Sequence, residues 1–187
     1  MGVHFKPAGA AGVLGMPAGE MADRVVELDS VWGRAGLELR DALLEAPASE
    51  AKFAVLEKFL LRLTKRARAR SPAIRYALRR FAIERGVMSI SAVADELGLS
   101  HKHLIQRFRD EVGLTPKRFC RIQRFQSVLR AIESQSGVEW ADLACACGYF
   151  DQAHFIREFH GFSGLNPSAY LTQRGEYLGY VPVPTAG

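Results

Sequence analysis

Two stretches of the chain, residues 98–119 and 148–170, each carry polar and apolar side chains on what would be the outer face of a helix. On the opposite face, each stretch has two apolar residues four positions apart, Leu104 with Phe108 and Phe155 with Phe159. Residues at this spacing share one side of a helix. Lysine and arginine suit the edge of guanine, glutamine suits adenine, and an exposed apolar group suits the methyl of thymine. The outer faces that could contact bases hold Lys102, Ile105, Gln106 and Arg109 in the first stretch and Gln152, Ala153, Ile156, Arg157 and His160 in the second.

The elements that would position these side chains form a repeat. Gly113 and Gly164 are 51 positions apart, whereas Gly98 and Gly148 are 50 apart, so the second copy has one extra residue in its turn. Further pairs at a spacing of 51 are Leu104 with Phe155, Phe108 with Phe159, Pro116 with Pro167, and Phe119 with Tyr170. Each copy is predicted to be a short helix, a glycine turn and a second helix, which is the form of a helix-turn-helix motif. A plain bundle of helical hairpins is the alternative.

A long helix is predicted between the two copies. It runs from Pro116 to Glu133, which is 18 residues, or roughly 27 Å at 1.5 Å per residue. With the turns at its ends, it would separate the two second helices by close to one turn of duplex DNA, about 34 Å. One chain could then contact two successive major grooves.

The charge of the chain is distributed unevenly. Residues 1–50 have a net charge of −4 and residues 51–100 a net charge of +7, within a total of +5. Basic side chains near the repeat would contact phosphates, which gives affinity without sequence information. Solvated helix faces are the alternative explanation for these charges. The expected phosphate-contacting residues are Arg107, Arg109, Lys117, Arg118, Arg121 and Arg124.

The motifs of the repeat resemble a known family. ADELGLS at residues 94–100 and LACACGYFDQ at residues 143–152, with GLNP at residues 164–167, are similar to the DNA-binding domain of the AraC/XylS family of bacterial transcription regulators. The resemblance covers about Pro72 to Arg174. It implies a mainly α fold, a seven-helix unit of two helix-turn-helix motifs joined by one long helix, in which outward residues of the third and sixth helices contact bases. Carried over by position, the predicted base-contacting residues are Lys102, Ile105, Gln106, Gln152, Ala153, Ile156 and Arg157.

The same resemblance implies a function and its partners. The chain would be a sequence-specific DNA-binding transcription regulator and not an enzyme, with double-stranded DNA as its partner and RNA polymerase as a candidate second one. It implies no cofactor or metal. Because the two motifs present different residues to DNA, the operator is expected to be asymmetric.

Residues 1–70 are expected to be a remnant of a sensor domain followed by a dimerisation or linker region. Short strands are predicted near Val3–Phe5 and Val25–Leu28, and helices over residues 32–45 and 49–70. In the second helix, Phe53, Leu56, Leu60 and Leu63 recur at spacings of three and four, which is typical of a helix with one apolar face. The two helices would leave apolar faces for a homodimer contact through residues 32–70. The remaining domains are expected at residues 71–174, the DNA-binding unit, and 175–187, a tail.

Other classes of protein fit the sequence less well. No apolar run approaches the roughly 20 residues that span a bilayer, and no signal peptide is recognisable. The three cysteines, Cys120, Cys145 and Cys147, favour a reducing cytoplasm over a disulfide framework. Cys145 and Cys147, with His154 and His160, raise the alternative of a cysteine-dependent DNA-repair or metal enzyme, but a Cys-x-Cys pair on a helix points to opposite sides. A truncated regulator that occupies DNA, or pairs with a longer relative without sensing an effector, is the other alternative.

Overall fold

The computed structural model describes residues 2–65, 71–84, 88–134 and 139–173. Within these ranges the ordered elements are all helical and no strand occurs, so the prediction of a mainly α fold is confirmed. No helix in these ranges has the length and apolar character of a membrane span. The predicted tail at 175–187 and the boundary at Arg174 fall outside the described residues.

Five helical elements occupy the N-terminal part of the chain. The prediction of strands at Val3–Phe5 and Val25–Leu28 is wrong. Val25 is fully exposed and Val3 and Phe5 are each 42% exposed, and a strand without a neighbour or a buried face has little to stabilise it. The elements are α1 (Ala11–Leu14), a 3-10 helix (Ala18–Met21), α2 (Leu28–Trp32), α3 (Arg34–Glu45) and α4 (Ser49–Thr64).

The predicted helix at residues 32–45 is interrupted near its start. Gly33 has a φ of 55°, a conformation that disfavours side chains with a Cβ, and it separates α2 from α3. Trp32 then turns inward, where its indole N–H donates to the carbonyl of Val13 at 2.8 Å. Its ring packs edge-on against Phe59, with centroids 5.1 Å apart. Phe59 is therefore the buried residue of α4, whereas Phe53 is 55% exposed.

Seven helices follow, as predicted from the repeat. They are α5 (Pro72–Ile83), α6 (Ile90–Glu96), α7 (His101–Val112), α8 (Pro116–Ser134), α9 (Trp140–Ala146), α10 (Gln152–Ser163) and α11 (Pro167–Gln173). Gly98 and Gly148 have φ values of 62° and 80° in the two turns that precede α7 and α10. The glycines at these positions allow the left-handed conformation that each turn needs.

The described residues cluster into two compact units. The first contains residues from 1–78 and 94–116, and the second contains residues from 79–93 and 117–173. In the first unit, the 3-10 helix packs on α7, and a Cβ placed on Gly19 would lie 2.8 Å from Cγ of Arg109. The predicted domain division at residue 71 stays a prediction.

The core of the second unit is built from aromatic side chains. Phe155 and Phe159 of α10 are fully buried, and Phe159 packs edge-on against Phe125 of α8 with ring centroids 5.2 Å apart. Tyr170 of α11 packs on the other side of Phe159 at 5.4 Å. These contacts fix α10 within the second unit.

Candidate nucleic-acid interface

The first motif positions α7 through its cap and its buried face. The N–H of Leu99 donates to the carbonyl of Ala94 at 2.9 Å and closes the turn. Ser100 then caps α7, where its hydroxyl accepts from the N–H of His103 at 3.2 Å. Leu104 and Phe108 are completely buried, so the opposite side of α7 faces outward.

The predicted base-contacting residues of α7 differ in exposure. Lys102 and Gln106 are exposed, and Ile105 is half-buried. The side-chain amide nitrogen of Gln106 donates to Asp110 at 2.8 Å, which holds the amide along the outer face of the helix. Among its three predicted base-contacting residues, α7 thus presents one exposed cation and one exposed amide.

Two arginines of α7 that were predicted to contact phosphates have neighbours within the first unit. The guanidinium of Arg107 donates to the hydroxyl of Ser71 at 2.8 Å and lies 4.0 Å from Glu111. Arg109 is exposed, and its aliphatic stem lies against Gly19 of the 3-10 helix. Both side chains are therefore near the surface at the C-terminal half of α7.

The second motif repeats this arrangement around α10. The N–H of Tyr149 donates to the carbonyl of Ala144 at 3.0 Å. Asp151 caps the helix by accepting from the N–H of His154 at 2.6 Å. All four predicted base-contacting residues are exposed on the face opposite the buried phenylalanines; these are Gln152, Ala153, Ile156 and Arg157.

An ion-pair cluster connects α10 to α8. Glu158 accepts from Nε of Arg121 at 2.6 Å and from the guanidinium of Arg124 at 3.3 Å. Burial raises the pKa of the Glu158 carboxyl, but the hydrogen bonds and charges of the two arginines outweigh it, and the pKa is lowered overall. The side chains of Glu158 and Arg124 are only 11% and 14% exposed. Arg121 and Arg124, two of the residues predicted to contact phosphates, are thus engaged within the protein. Lys117 and Arg118 are exposed in the first turn of α8.

Two residues in or next to α10, Glu158 and Phe150, were not identified from the sequence. Glu158 was missed because its partners lie more than 30 positions away, beyond any local pattern. Phe150, which is 90% exposed, had a signal in the sequence: it lies in the turn where the second copy has one extra residue.

The three cysteines differ in their burial. Cys145 is exposed, whereas Cys120 and Cys147 are buried. Burial raises the pKa of Cys120 to about 11, which keeps its thiol protonated and unreactive at neutral pH. Among the described residues, no group of three or more His, Cys, Asp and Glu side chains forms a candidate metal site.

Comparison with known proteins agrees with this geometry. Residues 93–173 match a family model described as a helix-turn-helix domain. The chain is 36% identical over 90 residues to the HTH-type transcriptional activator RhaS of Shigella boydii, over 46% of this chain and 31% of that protein. It is 31% identical over 81 residues to an uncharacterized HTH-type transcriptional regulator of Haemophilus influenzae, over 43% of this chain and 27% of that protein. The chain thus spans less than a third of the length of these curated relatives.

A solved structure shows the same fold. It is the C-terminal domain of AraT, a response regulator from Geobacillus stearothermophilus, with a TM-score of 0.53 and 22% sequence identity. The match covers 59% of this chain and 93% of that domain. At this identity the likeness concerns the fold alone.

Proposed function

Residues 93–173 form a helix-turn-helix domain of the AraC/XylS type, and from this premise we propose that the chain is a sequence-specific DNA-binding transcription regulator. In this proposal α7 and α10 enter two successive major grooves of one operator. Contact with RNA polymerase and a cytoplasmic location remain predictions drawn from the family resemblance.

The observation that carries the proposal is the repeated construction of α7 and α10. Each helix has a side-chain cap, at Ser100 or Asp151, and two fully buried apolar residues on its inner face. A helix that needed only solubility would carry charged or polar residues on its outer face. Instead Ile156 is 39% exposed beside Arg157, a combination that suits the methyl of thymine and the edge of guanine.

The proposal assigns phosphate contacts mainly to Lys117 and Arg118, at the start of α8. Both are exposed, and cations there could follow the DNA backbone and fix the orientation of α7. Arg107 and Arg109 are proposed for the same role from α7. Arg121 and Arg124 are weaker candidates, because a phosphate would compete with Glu158, which both arginines already contact.

Selection of bound sequences from random DNA tests the proposed function. We expect two enriched sequence blocks, different from each other, whose centres are about one helical turn or 10–10.5 base pairs apart. Two identical blocks related by symmetry would contradict the asymmetric operator. Absence of any enrichment would exclude sequence-specific regulation.

We further propose that α3 and α4 mediate a homodimer. Between them lies an open groove of about 700 Å³, lined by apolar residues such as Leu39 and Phe59. Leu44 of α3 and Leu61 of α4 are 74% and 55% exposed. Glu38 and Asp41 of α3 already pair with Arg34 and Arg40 of the same helix, so the exposed leucines carry this proposal. A second copy of the chain is the proposed occupant, because a two-fold axis would place the same apolar surface of each copy against that of the other.

The mass of the protein in solution tests the dimer. Sedimentation at micromolar concentration should give twice the chain mass of 20.7 kDa. Leu44→Glu with Leu61→Glu should give monomers, since each places an uncompensated charge in the interface. A wild-type protein that is monomeric at this concentration would reject the dimer and leave the DNA-binding proposal unaffected.

A further inference from the structure

The two motifs have the same turn geometry except at one residue. In the first turn Gly98 and Leu99 donate to the carbonyls of Asp95 and Ala94, and in the second Gly148 and Tyr149 make the equivalent bonds to Cys145 and Ala144. The caps Ser100 and Asp151 then accept from the N–H three residues later in the same way. Leu99 is followed directly by its cap, whereas Phe150 stands between Tyr149 and Asp151. Phe150 is therefore the extra residue of the second copy.

The side chain of Phe150 has no packing role in the second unit. A residue directly before a cap often packs against the fourth residue of its helix as a hydrophobic staple, and here that residue is Phe155. Tyr149 makes this contact instead: it is 5% exposed, and its ring centroid lies 5.3 Å from that of Phe155. Phe150 is left 90% exposed.

The backbone of Phe150 does not explain the choice of phenylalanine either. Its N–H donates to Nδ1 of His154 at 3.5 Å, and every residue other than proline carries this donor. A polar residue would therefore serve the turn equally well. The large apolar side chain must be explained by something outside the second unit.

The position of Phe150 indicates that its side chain contacts DNA. It directly precedes the N-terminus of α10, and the N-terminal residues of a recognition helix are the ones that contact base edges. Ala153 and Ile156, both exposed, add further apolar surface along the outer face of the same helix. In the major groove the apolar group available to such residues is the C5 methyl of thymine.

We propose that Phe150 is a specificity-determining residue of the second motif and packs on the methyl group of one thymine in the operator. This inference rests on the proposed function, since it requires that α10 enter the major groove. It also gives the extra residue of the second copy a role: the added residue extends the surface of α10 by one apolar contact that α7 lacks.

The experiment replaces thymine by deoxyuridine, which removes only the methyl group. Each thymine of the selected second block is replaced in turn, and the affinity of the full chain is measured for the wild type and for Phe150→Ala. One replacement should weaken wild-type binding about fourfold, the effect of one buried methyl group. The same replacement should leave the binding of Phe150→Ala unchanged. On unmodified DNA, Phe150→Ala should bind roughly five- to thirtyfold more weakly than wild type, the effect of one or two kcal/mol.

Two controls accompany this measurement. Val25→Ala removes another fully exposed apolar side chain, outside both motifs, and should bind every DNA with wild-type affinity. The thermal midpoint of Phe150→Ala should equal that of the wild type, because the ring is 90% exposed among the residues that the structure describes. A weaker affinity at an unchanged midpoint then reports a lost DNA contact.

The outcomes separate this inference from the proposed function. If Phe150→Ala keeps wild-type affinity, or if both proteins respond alike to every deoxyuridine, the inference is wrong, even where Arg157→Ala still loses specificity. Normal DNA binding by Phe150→Ala with reduced transcription would also reject it and would indicate a protein partner. If the wild type itself does not distinguish selected from random DNA, the proposed function fails and the inference fails with it.

Discussion

At the scale of single residues, Arg157 and Lys117 are expected to have separable roles. Arg157→Ala should cost about 1–3 kcal/mol on the selected operator and relax the preference at one base pair, because arginine pairs with one base edge. Lys117→Ala should weaken binding to all sequences and reduce the salt dependence by about one unit of slope, because a phosphate contact releases counterions. Binding isotherms on selected and random DNA at several salt concentrations measure both effects.

Each of these variants is the control for the other. Both residues are exposed, so neither substitution should change stability by more than about 0.5 kcal/mol. Equal losses on selected and random DNA for Arg157→Ala would contradict its base-contacting role. A loss for Lys117→Ala that was confined to the selected operator would contradict its phosphate-contacting role.

Glu158 should make the stability of the second unit depend on pH. Burial raises the pKa of Glu158 but the two arginines lower it by more, so its folded-state pKa lies below its unfolded-state value of about 4.3. The ion pairs therefore stabilise the fold fully above that value, and their contribution is lost as pH falls through the lower folded-state value. Glu158→Gln should lower the free energy of unfolding by about 1–3 kcal/mol at pH 7, and the difference should diminish below about pH 4.

Urea unfolding at several pH values measures this dependence. Glu27→Gln, at an exposed residue before α2, is the matched control and should have little effect at any pH. A loss for Glu158→Gln that is the same at pH 7 and at pH 3 would mean that its carboxylate charge does not contribute.

At the scale of elements, two helical glycines should respond to alanine in opposite directions. A Cβ on Gly36 of α3 would contact the backbone carbonyl of Leu28 too closely and lie 2.9 Å from the backbone nitrogen of Asp29. Gly36→Ala should therefore separate α2 from α3 and destabilise the protein by about 1–3 kcal/mol. Gly161 of α10 has open space around its Cβ position, so Gly161→Ala should stabilise it by about 0.5–1 kcal/mol.

Thermal and urea unfolding of both variants measure these changes. Because Gly36 and Gly161 lie in different units, probes in each unit should also report the effect locally. Destabilisation by Gly161→Ala, or no change for Gly36→Ala, would contradict the packing described for these helices.

The elements of the two motifs and most of α3 and α4 could be predicted from the sequence, whereas the short elements before α3 and the buried side of α4 could not. In the motifs, the decisive contacts are local. Ser100 and Asp151 cap residues three positions later, and Phe155 and Phe159 are four positions apart, so the helix period predicts these features. In the N-terminal part the decisive contacts are distant. Trp32 binds Val13 and packs on Phe59, and this contact selects Phe59 rather than Phe53 as the buried side of α4.

The candidate site was predictable to the extent that it depends on helix faces. The seven predicted base-contacting residues lie on the faces opposite Leu104 and Phe155, and six of them are exposed. The environment of Arg121 and Arg124 was not predictable, because their partner Glu158 lies on another helix. Whether an arginine contacts a phosphate or a carboxylate depends on which is nearer, and helix spacing alone contains no such information.

At the scale of the whole molecule, α8 should determine the distance between the two blocks of the operator. The helix is continuous over 19 residues from Pro116 to Ser134, a length of roughly 28 Å. Inserting about five base pairs between the blocks moves the second to the opposite side of the duplex, so affinity should fall to that for one block alone. Inserting about ten base pairs returns the second block to the same side of the duplex as the first, but it adds a full turn, about 34 Å, between them. This insertion should therefore not restore affinity.

Gel shifts or fluorescence anisotropy with the three DNA fragments measure this dependence. An operator with one block replaced by random sequence supplies the reference affinity. Recovery of full affinity with the ten-base-pair insertion would mean that the connection between the motifs can extend, and would contradict α8 as a fixed spacer.

The contact between Gly19 and Arg109 limits how the first motif can be exchanged between proteins. A Cβ on Gly19 would lie 2.8 Å from the side chain of Arg109. The 3-10 helix can therefore pack on α7 in this way only if the residue at position 19 is as small as glycine. A chimera that received α7 from a relative would have to receive a compatible N-terminal segment with it. Over evolution, then, changes in the operator preference of the first motif should be inherited together with changes in residues that never contact DNA.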